Sequence, residues 1–148
     1  MVQYFISLIV FLISIVLTIA TSGGTVLPYV DVPSLIIVGI FPFLFVSIVF
    51  GFKEMKSAFS VAFKGGSEKE KLIKGLIFFK AYGKIIWISG FIAVLIGVIA
   101  MLIWLDDKTK LGPNLAVALI SLLYCGIISI AIIIPFTAFI KKQLKEGI

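Results

Sequence analysis

Four long runs of apolar residues alternate with short polar segments along this chain. None of the runs contains Asp, Glu, Lys or His, and they cover about residues 2–20, 34–52, 85–105 and 114–140. Each run is close to or longer than the roughly 20 residues that an α-helix needs to cross a bilayer. The pattern predicts an all-α integral membrane protein with four transmembrane helices in a single domain, residues 1–148.

The first apolar run has one alternative interpretation, and the second run predicts a distorted helix. A cleaved signal peptide ending at Ala20 is the alternative for the first run, although the basic segment that usually opens such a peptide is absent. The second run contains Pro42, which removes a backbone hydrogen bond and predicts a kink in that helix.

The loop 53–84 is the one long polar segment. Residues 65–67, Gly-Gly-Ser, predict a turn in its middle. Residues 71–84 place apolar side chains among lysines at helical spacing, so this piece either extends the third helix or lies at the membrane interface. Eleven of the thirteen lysines lie in this loop or in the C-terminal tail. The positive-inside rule therefore puts the loop and both termini in the cytoplasm.

Composition agrees with a membrane protein. The chain is 61% hydrophobic and only 14% charged, whereas about a quarter of the residues in a soluble domain are charged. The net charge of +6 comes from lysines at the ends of apolar runs, which is typical of membrane topology and not of a nucleic-acid-binding surface.

Candidate catalytic, metal and cofactor chemistry is missing from the sequence. There is no His, and Ser121 and Ser129 have no base beside them, so we expect no enzyme active site. The single cysteine, Cys125, excludes a disulfide within the chain and, with no other soft ligand, predicts a packing residue. We expect no cofactor and no bound metal.

Small residues form stripes on the last two predicted helices. They recur every three or four positions, which places them on one face of each helix: Gly90, Ala93, Gly97 and Ala100 on the third, and Asn114, Ala118, Ser121, Cys125 and Ser129 on the fourth. Such faces let helices approach closely. They indicate either packing within the chain or the wall of a pore or subunit interface.

The same region resembles the MotA/TolQ/ExbB family of channel-forming membrane subunits, most closely its MotA branch. The segment 90–99 is similar to the third-helix pattern G-x-x-G-T-x-x-G-L-I, and 105–107 and 111–119 are similar to the outer link and the start of the fourth helix. Further similarities, in sequence order, are Gly23-Gly24, residues 32–38, Leu123-Tyr124, Pro135 and Lys141.

The resemblance implies an assembly in the bacterial cytoplasmic (inner) membrane. Members form pentamers whose third and fourth helices line a central pore. Two copies of a single-span MotB- or ExbD-like partner occupy that pore and supply an aspartate for proton or sodium movement. The residues that the resemblance and the small-residue stripes mark as pore-lining or helix-packing are Trp87, Gly90, Ala93, Val94, Gly97, Ala118, Ser121, Leu122, Cys125 and Pro135.

Several positions depart from the family pattern. A proline of the family falls at Trp87, a threonine at Val94 and a threonine pair at Ser121 and Leu122, while its second glycine is Ala93. The loop 53–84 is also much shorter than MotA's torque-bearing cytoplasmic domain. These departures leave a second hypothesis, a pentameric membrane scaffold that does not conduct. A third hypothesis is a small transporter built from two helical hairpins.

Overall fold

The computed structural model describes residues 2–65 and 68–146. In this part of the chain all regular structure is helical, which confirms the all-α prediction. Four stretches are long and apolar enough to cross a membrane: Gln3–Thr21, Leu27–Phe50, Lys69–Ile103 and Lys108–Lys145. The predicted turn at residues 65–67 falls largely on residues 66 and 67, which lie outside the described residues.

Residues up to Asp31 form one compact unit. Its main element, α1 (Val2–Thr21), is a helix whose apolar side chains are mostly exposed. The hydroxyls of Ser7, Ser14 and Thr18 donate to backbone carbonyls one turn earlier in the same helix. Because the polar groups are satisfied internally, the helix surface is suited to an apolar surrounding.

From Val32 onward the chain forms a second compact unit, whose described residues, 32–65 and 68–146, contain four helices. Helix α2 covers residues 32–50 and joins Val32–Ser34, a π-helical segment Leu35–Ile40 and Phe41–Phe50. The remaining three are α3 (Phe52–Lys64), α4 (Lys69–Ile103) and α5 (Lys108–Lys145), the last containing a π-helical segment Ser129–Ile133. Gly51 has a φ of 85°, which lets the chain turn sharply between α2 and α3.

Both π-helical segments end next to a proline. Leu35–Ile40 precedes Pro42, and Ser129–Ile133 precedes Pro135. Proline has no N–H to donate and clashes with the carbonyl four residues earlier, so the α-helical hydrogen-bond pattern is interrupted at such a position. The distortion predicted at Pro42 thus takes the form of a change in helix type.

The predicted loop 53–84 is almost entirely helical. Helix α3 buries a face that consists of Ala58, Val61 and Ala62. The continuous helix α4 begins at Lys69, whereas the sequence predicts the third helix from residue 85. Gly75 permits a close crossing, because a methyl group there would lie 3.4 Å from the Ile140 side chain and 3.6 Å from the Ala58 backbone. The lysine-rich piece 71–84 therefore extends the third membrane helix and packs against α3.

Aromatic rings hold this end of the unit together. Phe59 of α3 lies edge-on to rings of α2, α4 and α5, with centroid separations of 5.2–6.5 Å to Phe43, Phe78, Phe79 and Phe136. Edge-to-face pairs add to the free energy of burial alone. We call these five residues the aromatic cluster.

Helix α5 begins at Lys108, six residues before the apolar run 114–140 in which the sequence predicts the fourth helix. Asp107 is the N-cap and accepts hydrogen bonds from the backbone N–H and hydroxyl of Thr109. The Thr109 hydroxyl is the main reason that the pKa of Asp107 lies below its ordinary value. The negative cap charge also suits the helix N-terminus.

Candidate functional site

Helices α4 and α5 contact each other along most of their length, and glycines on α4 set the close approach. A methyl group at Gly97 would lie 2.8 Å from Ala118 Cβ and 3.1 Å from the Asn114 carbonyl oxygen. At Gly90 it would overlap Cys125 Sγ. The small-residue stripes of the third and fourth predicted helices therefore pack against each other within one chain. Packing within the chain is one of the two arrangements that the sequence pattern left open.

Cys125 occupies the space that Gly90 leaves free. The side chain is completely buried, and its Sγ donates a hydrogen bond of 3.4 Å to the carbonyl oxygen of Ile86. A buried thiol of this kind behaves as a small apolar side chain with a weak donor. Cys125 therefore lies in the packed interior between α4 and α5.

Ser121 joins α5 to α2. Its hydroxyl lies 2.9 Å from that of Ser34 and donates to the Val117 carbonyl oxygen at 3.1 Å. Both serines are almost fully buried. They border a cavity of about 170 Å³, to which Ala93, Gly97 and Asn114 also contribute. The Ser121 hydroxyl, at one position of the family's threonine pair, therefore points into the interior of the second compact unit.

Within the uncharged stretches 85–105 and 114–140, the outward faces of α4 and α5 are apolar. Leu122, the neighbour of Ser121, is 39% exposed, and Trp87 is 51% exposed. Val94 is half-buried, whereas Ala93 and Ala118 are buried. An apolar wall offers an ion no replacement for its hydration shell, and a proton relay inside a membrane needs ionisable groups. These faces can pack against helices or lipid but cannot carry a proton by themselves.

Pro135 and Trp87 lie away from the contact between the small-residue stripes. Pro135 stands at the first turn after the π-helical segment of α5. Trp87 lines a second, larger groove between α4 and the last part of α5. Among the described residues, no group of three or more His, Cys, Asp or Glu is arranged to hold a metal ion.

The small-residue stripe predicted on the third helix leaves out Gly83, where a methyl group would lie 2.8 Å from Ile133 Cγ2. A signal was available, because Gly83, Gly90 and Gly97 recur every seven residues and so share one helix face. Ser34 carries no such signal, because its partner Ser121 is 87 residues away in the sequence.

Comparisons with known proteins bear on the same segment. The model of the MotA/TolQ/ExbB proton channel family matches residues 53–148, which include α3, α4 and α5. Chemotaxis protein PomA of Vibrio alginolyticus is 38% identical over 66 residues, covering 45% of this chain and 26% of PomA.

Two further relatives also match parts of this chain. Motility protein A of Aquifex aeolicus is 49% identical over 53 residues, or 36% of this chain and 21% of that protein. Uncharacterized protein YtxD of Bacillus subtilis is 33% identical over 90 residues, or 54% of this chain and 33% of that protein. The matches span at most a third of these relatives.

The family match covers most of the chain and includes both helices that carry the predicted site. Together with four apolar helices able to cross a membrane, it confirms the resemblance found in the sequence. The chain belongs to the MotA/TolQ/ExbB proton channel family.

Proposed function

We propose that this chain is a channel-forming subunit of an ion-driven motor or energy-transducing complex in the bacterial cytoplasmic membrane. The observation that carries the proposal is the family match to residues 53–148, within which α4 and α5 form one tightly packed pair. The named relatives PomA and Motility protein A support a channel-type subunit.

The proposed assembly is a pentamer with α4 and α5 facing a common axis. Large apolar side chains are exposed on both helices, among them Phe91, Leu95, Leu102 and Leu119. A soluble monomer rarely exposes so much continuous apolar surface. In a membrane complex, lipid covers one part of this surface and neighbouring subunits cover the other.

The proposed partner is a single-span, MotB- or ExbD-like protein that supplies an aspartate in the pore. The apolar stretches 85–105 and 114–140 contain no charged residue. Ionisable groups within a membrane usually mark proton and ion pathways. Since this chain has none in those stretches, conduction requires that the acid come from another subunit.

A second candidate is a pentameric scaffold of the same fold that does not conduct. The Ser121 hydroxyl supports it, because this group is fully buried and hydrogen-bonded to Ser34 rather than directed outward. Leu122 and Trp87 stand exposed at positions where the family has threonine and proline. An axis lined by such side chains would favour lipid or another apolar helix over water.

Ion flux separates the two candidates. The chain is co-expressed with candidate single-span proteins, purified, and reconstituted into vesicles that contain a pH-sensitive dye. Proton uptake that disappears when the partner's aspartate is changed to asparagine supports the channel. A pentamer that gives no flux with any partner it binds supports the scaffold, and a protein that stays monomeric contradicts both.

A further inference from the structure

A groove of about 610 Å³ runs between α4 and the C-terminal part of α5. Lys80 and Lys84 line it from α4, and Lys141 lines it from α5. Trp87, Ser129 and Thr137 also line it. We call this site the basic groove.

The basic groove carries positive charge without a counter-charge. Lys80, Lys84 and Lys141 are exposed, and none of them forms an ion pair with any acid in the described chain. By contrast, Lys74 and Lys142 are paired with glutamates. Like charges one helical turn apart, such as Lys80 and Lys84, repel each other. A bound anion would remove that repulsion.

Two residues that line the groove carry unsatisfied hydroxyls. Ser129 Oγ and Thr137 Oγ1 are buried and have no hydrogen-bond partner within the described part of the protein. Ser129 is only 7% exposed. A buried hydroxyl without a partner is costly, and each such group requires an explanation. Oxygen atoms of a ligand in the groove could accept hydrogen bonds from both.

The polarity of the groove changes along the helix axes. Lys80 and Lys84 lie toward the start of α4, whereas Trp87 and Ile134 continue the wall deeper into the apolar part of the helices. Seven residues separate Lys80 from Trp87, a rise of about 10 Å along an α-helix. The occupant should therefore carry an anionic, oxygen-rich end and an apolar end, which a free phosphate ion lacks.

We propose that the basic groove binds an anionic phospholipid, with its phosphate at Lys80, Lys84 and Lys141, its ester oxygens at Ser129 and Thr137, and an acyl chain along Trp87. Basic pockets between membrane helices on the cytoplasmic side are a known way of binding anionic headgroups. The lipid would hold the ends of α4 and α5 together where their lysines repel each other. This proposal does not depend on whether the complex conducts ions.

Trp87 provides a local probe for the test. In a Trp104→Phe background it is the one tryptophan left in the chain. The purified protein is reconstituted into vesicles of phosphatidylcholine containing a tenth of brominated phosphatidylglycerol or, in parallel, brominated phosphatidylcholine. Bromine quenches tryptophan fluorescence on contact, so stronger quenching by the brominated phosphatidylglycerol reports selective binding beside Trp87.

Charge variants make the test specific. Each lysine near a membrane surface contributes about 1 kcal/mol to attraction for anionic lipid. The variant K80Q/K84Q/K141Q should therefore lower the relative affinity for phosphatidylglycerol by about 100-fold. The control K53Q/K56Q/K64Q removes three exposed lysines from α3 and should leave the selectivity within about twofold. Ser129→Ala with Thr137→Val, which keeps all lysines, should weaken binding by a smaller factor.

Each other outcome would overturn the proposal. Equal quenching by the two lipids would show that the groove has no anion preference. An equal loss in the α3 control would assign the effect to general surface charge. Competition by millimolar glycerol phosphate or inorganic phosphate would indicate a site for a soluble anion. If the groove variants keep lipid selectivity but lose a co-purifying acidic protein, the occupant is a segment of that partner.

Discussion

Gly90 is the most sensitive position at the contact between α4 and α5. Replacing it with alanine would place a methyl group on Cys125 Sγ, which is fully buried and hydrogen-bonded to the Ile86 carbonyl oxygen. Inserting a methyl group into a packed interior typically costs about 1–3 kcal/mol. The better helix propensity of alanine returns up to about 1 kcal/mol. We expect Gly90→Ala to lower the free energy of unfolding by about 1–2 kcal/mol.

A second substitution should relieve the overlap. The methyl group at position 90 would lie 3.7 Å from Cys125 Cβ, an ordinary contact distance. Cys125→Ala alone should destabilise the protein, because it removes the buried Sγ and its hydrogen bond. Combined with Gly90→Ala, the same change should restore stability, so the two substitutions should couple by about 1–2 kcal/mol.

Unfolding of the purified protein in mixed detergent micelles, titrated with sodium dodecyl sulfate and followed by circular dichroism, measures these free energies. Gly126→Ala is the matched control, since a methyl group at this helical glycine would meet none of the described residues packed around its helix within 4 Å. It should stabilise the helix by about 0.5–1 kcal/mol. A Gly90→Ala variant as stable as Gly126→Ala, or one that Cys125→Ala fails to rescue, would refute the packing described here.

Three further predictions concern other parts of the second compact unit. Phe79→Ala should lower the free energy of unfolding by about 3–5 kcal/mol, because Phe79 is fully buried in the aromatic cluster. Phe91 is exposed, so Phe91→Ala should lower the free energy of unfolding far less in the same titration. Ser34→Ala and Ser121→Ala should each destabilise the protein by about 0.6 kcal/mol. The double variant should lose less than the sum of the two, since the serines share a hydrogen bond, and fully additive losses would contradict that bond. The pKa of Asp107 is lowered in the folded protein, so its contribution to stability is present above the ordinary carboxyl range and is lost as pH falls through the lowered pKa. Asp107→Asn should remove this part of the acid sensitivity of the thermal midpoint, and an unchanged pH profile would show that the cap is not formed.

Hydropathy alone identifies the four apolar helices, because long uncharged runs have few alternatives in a chain of this composition. It does not locate where helices begin. Lys69 opens α4 because no helix-breaking residue separates the lysine-rich piece 71–84 from the apolar run, and a change in polarity does not end a helix. Helix α5 begins after Asp107 because the Asp107 side chain caps the helix, a local contact that lies outside the apolar run 114–140.

The sequence predicts the candidate site only as small-residue faces of two helices, without the contacts between them. Spacing identifies Gly90, Gly97 and Ala118 as members of small-residue stripes, but it does not say which helix each stripe meets. That choice depends on contacts between distant parts of the chain, such as Gly90 with Cys125 and Ser34 with Ser121. The unsatisfied hydroxyl of Ser129 likewise depends on the three-dimensional surroundings and has no signature in sequence.

The channel proposal rests on how α4 and α5 stand in the assembled complex. The most direct measurement is an electron cryo-microscopy structure of the complex, co-expressed with its partner and extracted into lipid nanodiscs. We expect five copies of this chain with α4 and α5 around a central axis. On that axis we expect the transmembrane helices of the single-span partner, with an aspartate at the depth of Val94 and Leu122. A complex in which α4 and α5 face the surrounding lipid, or in which another number of copies leaves no axial partner, would contradict the proposal.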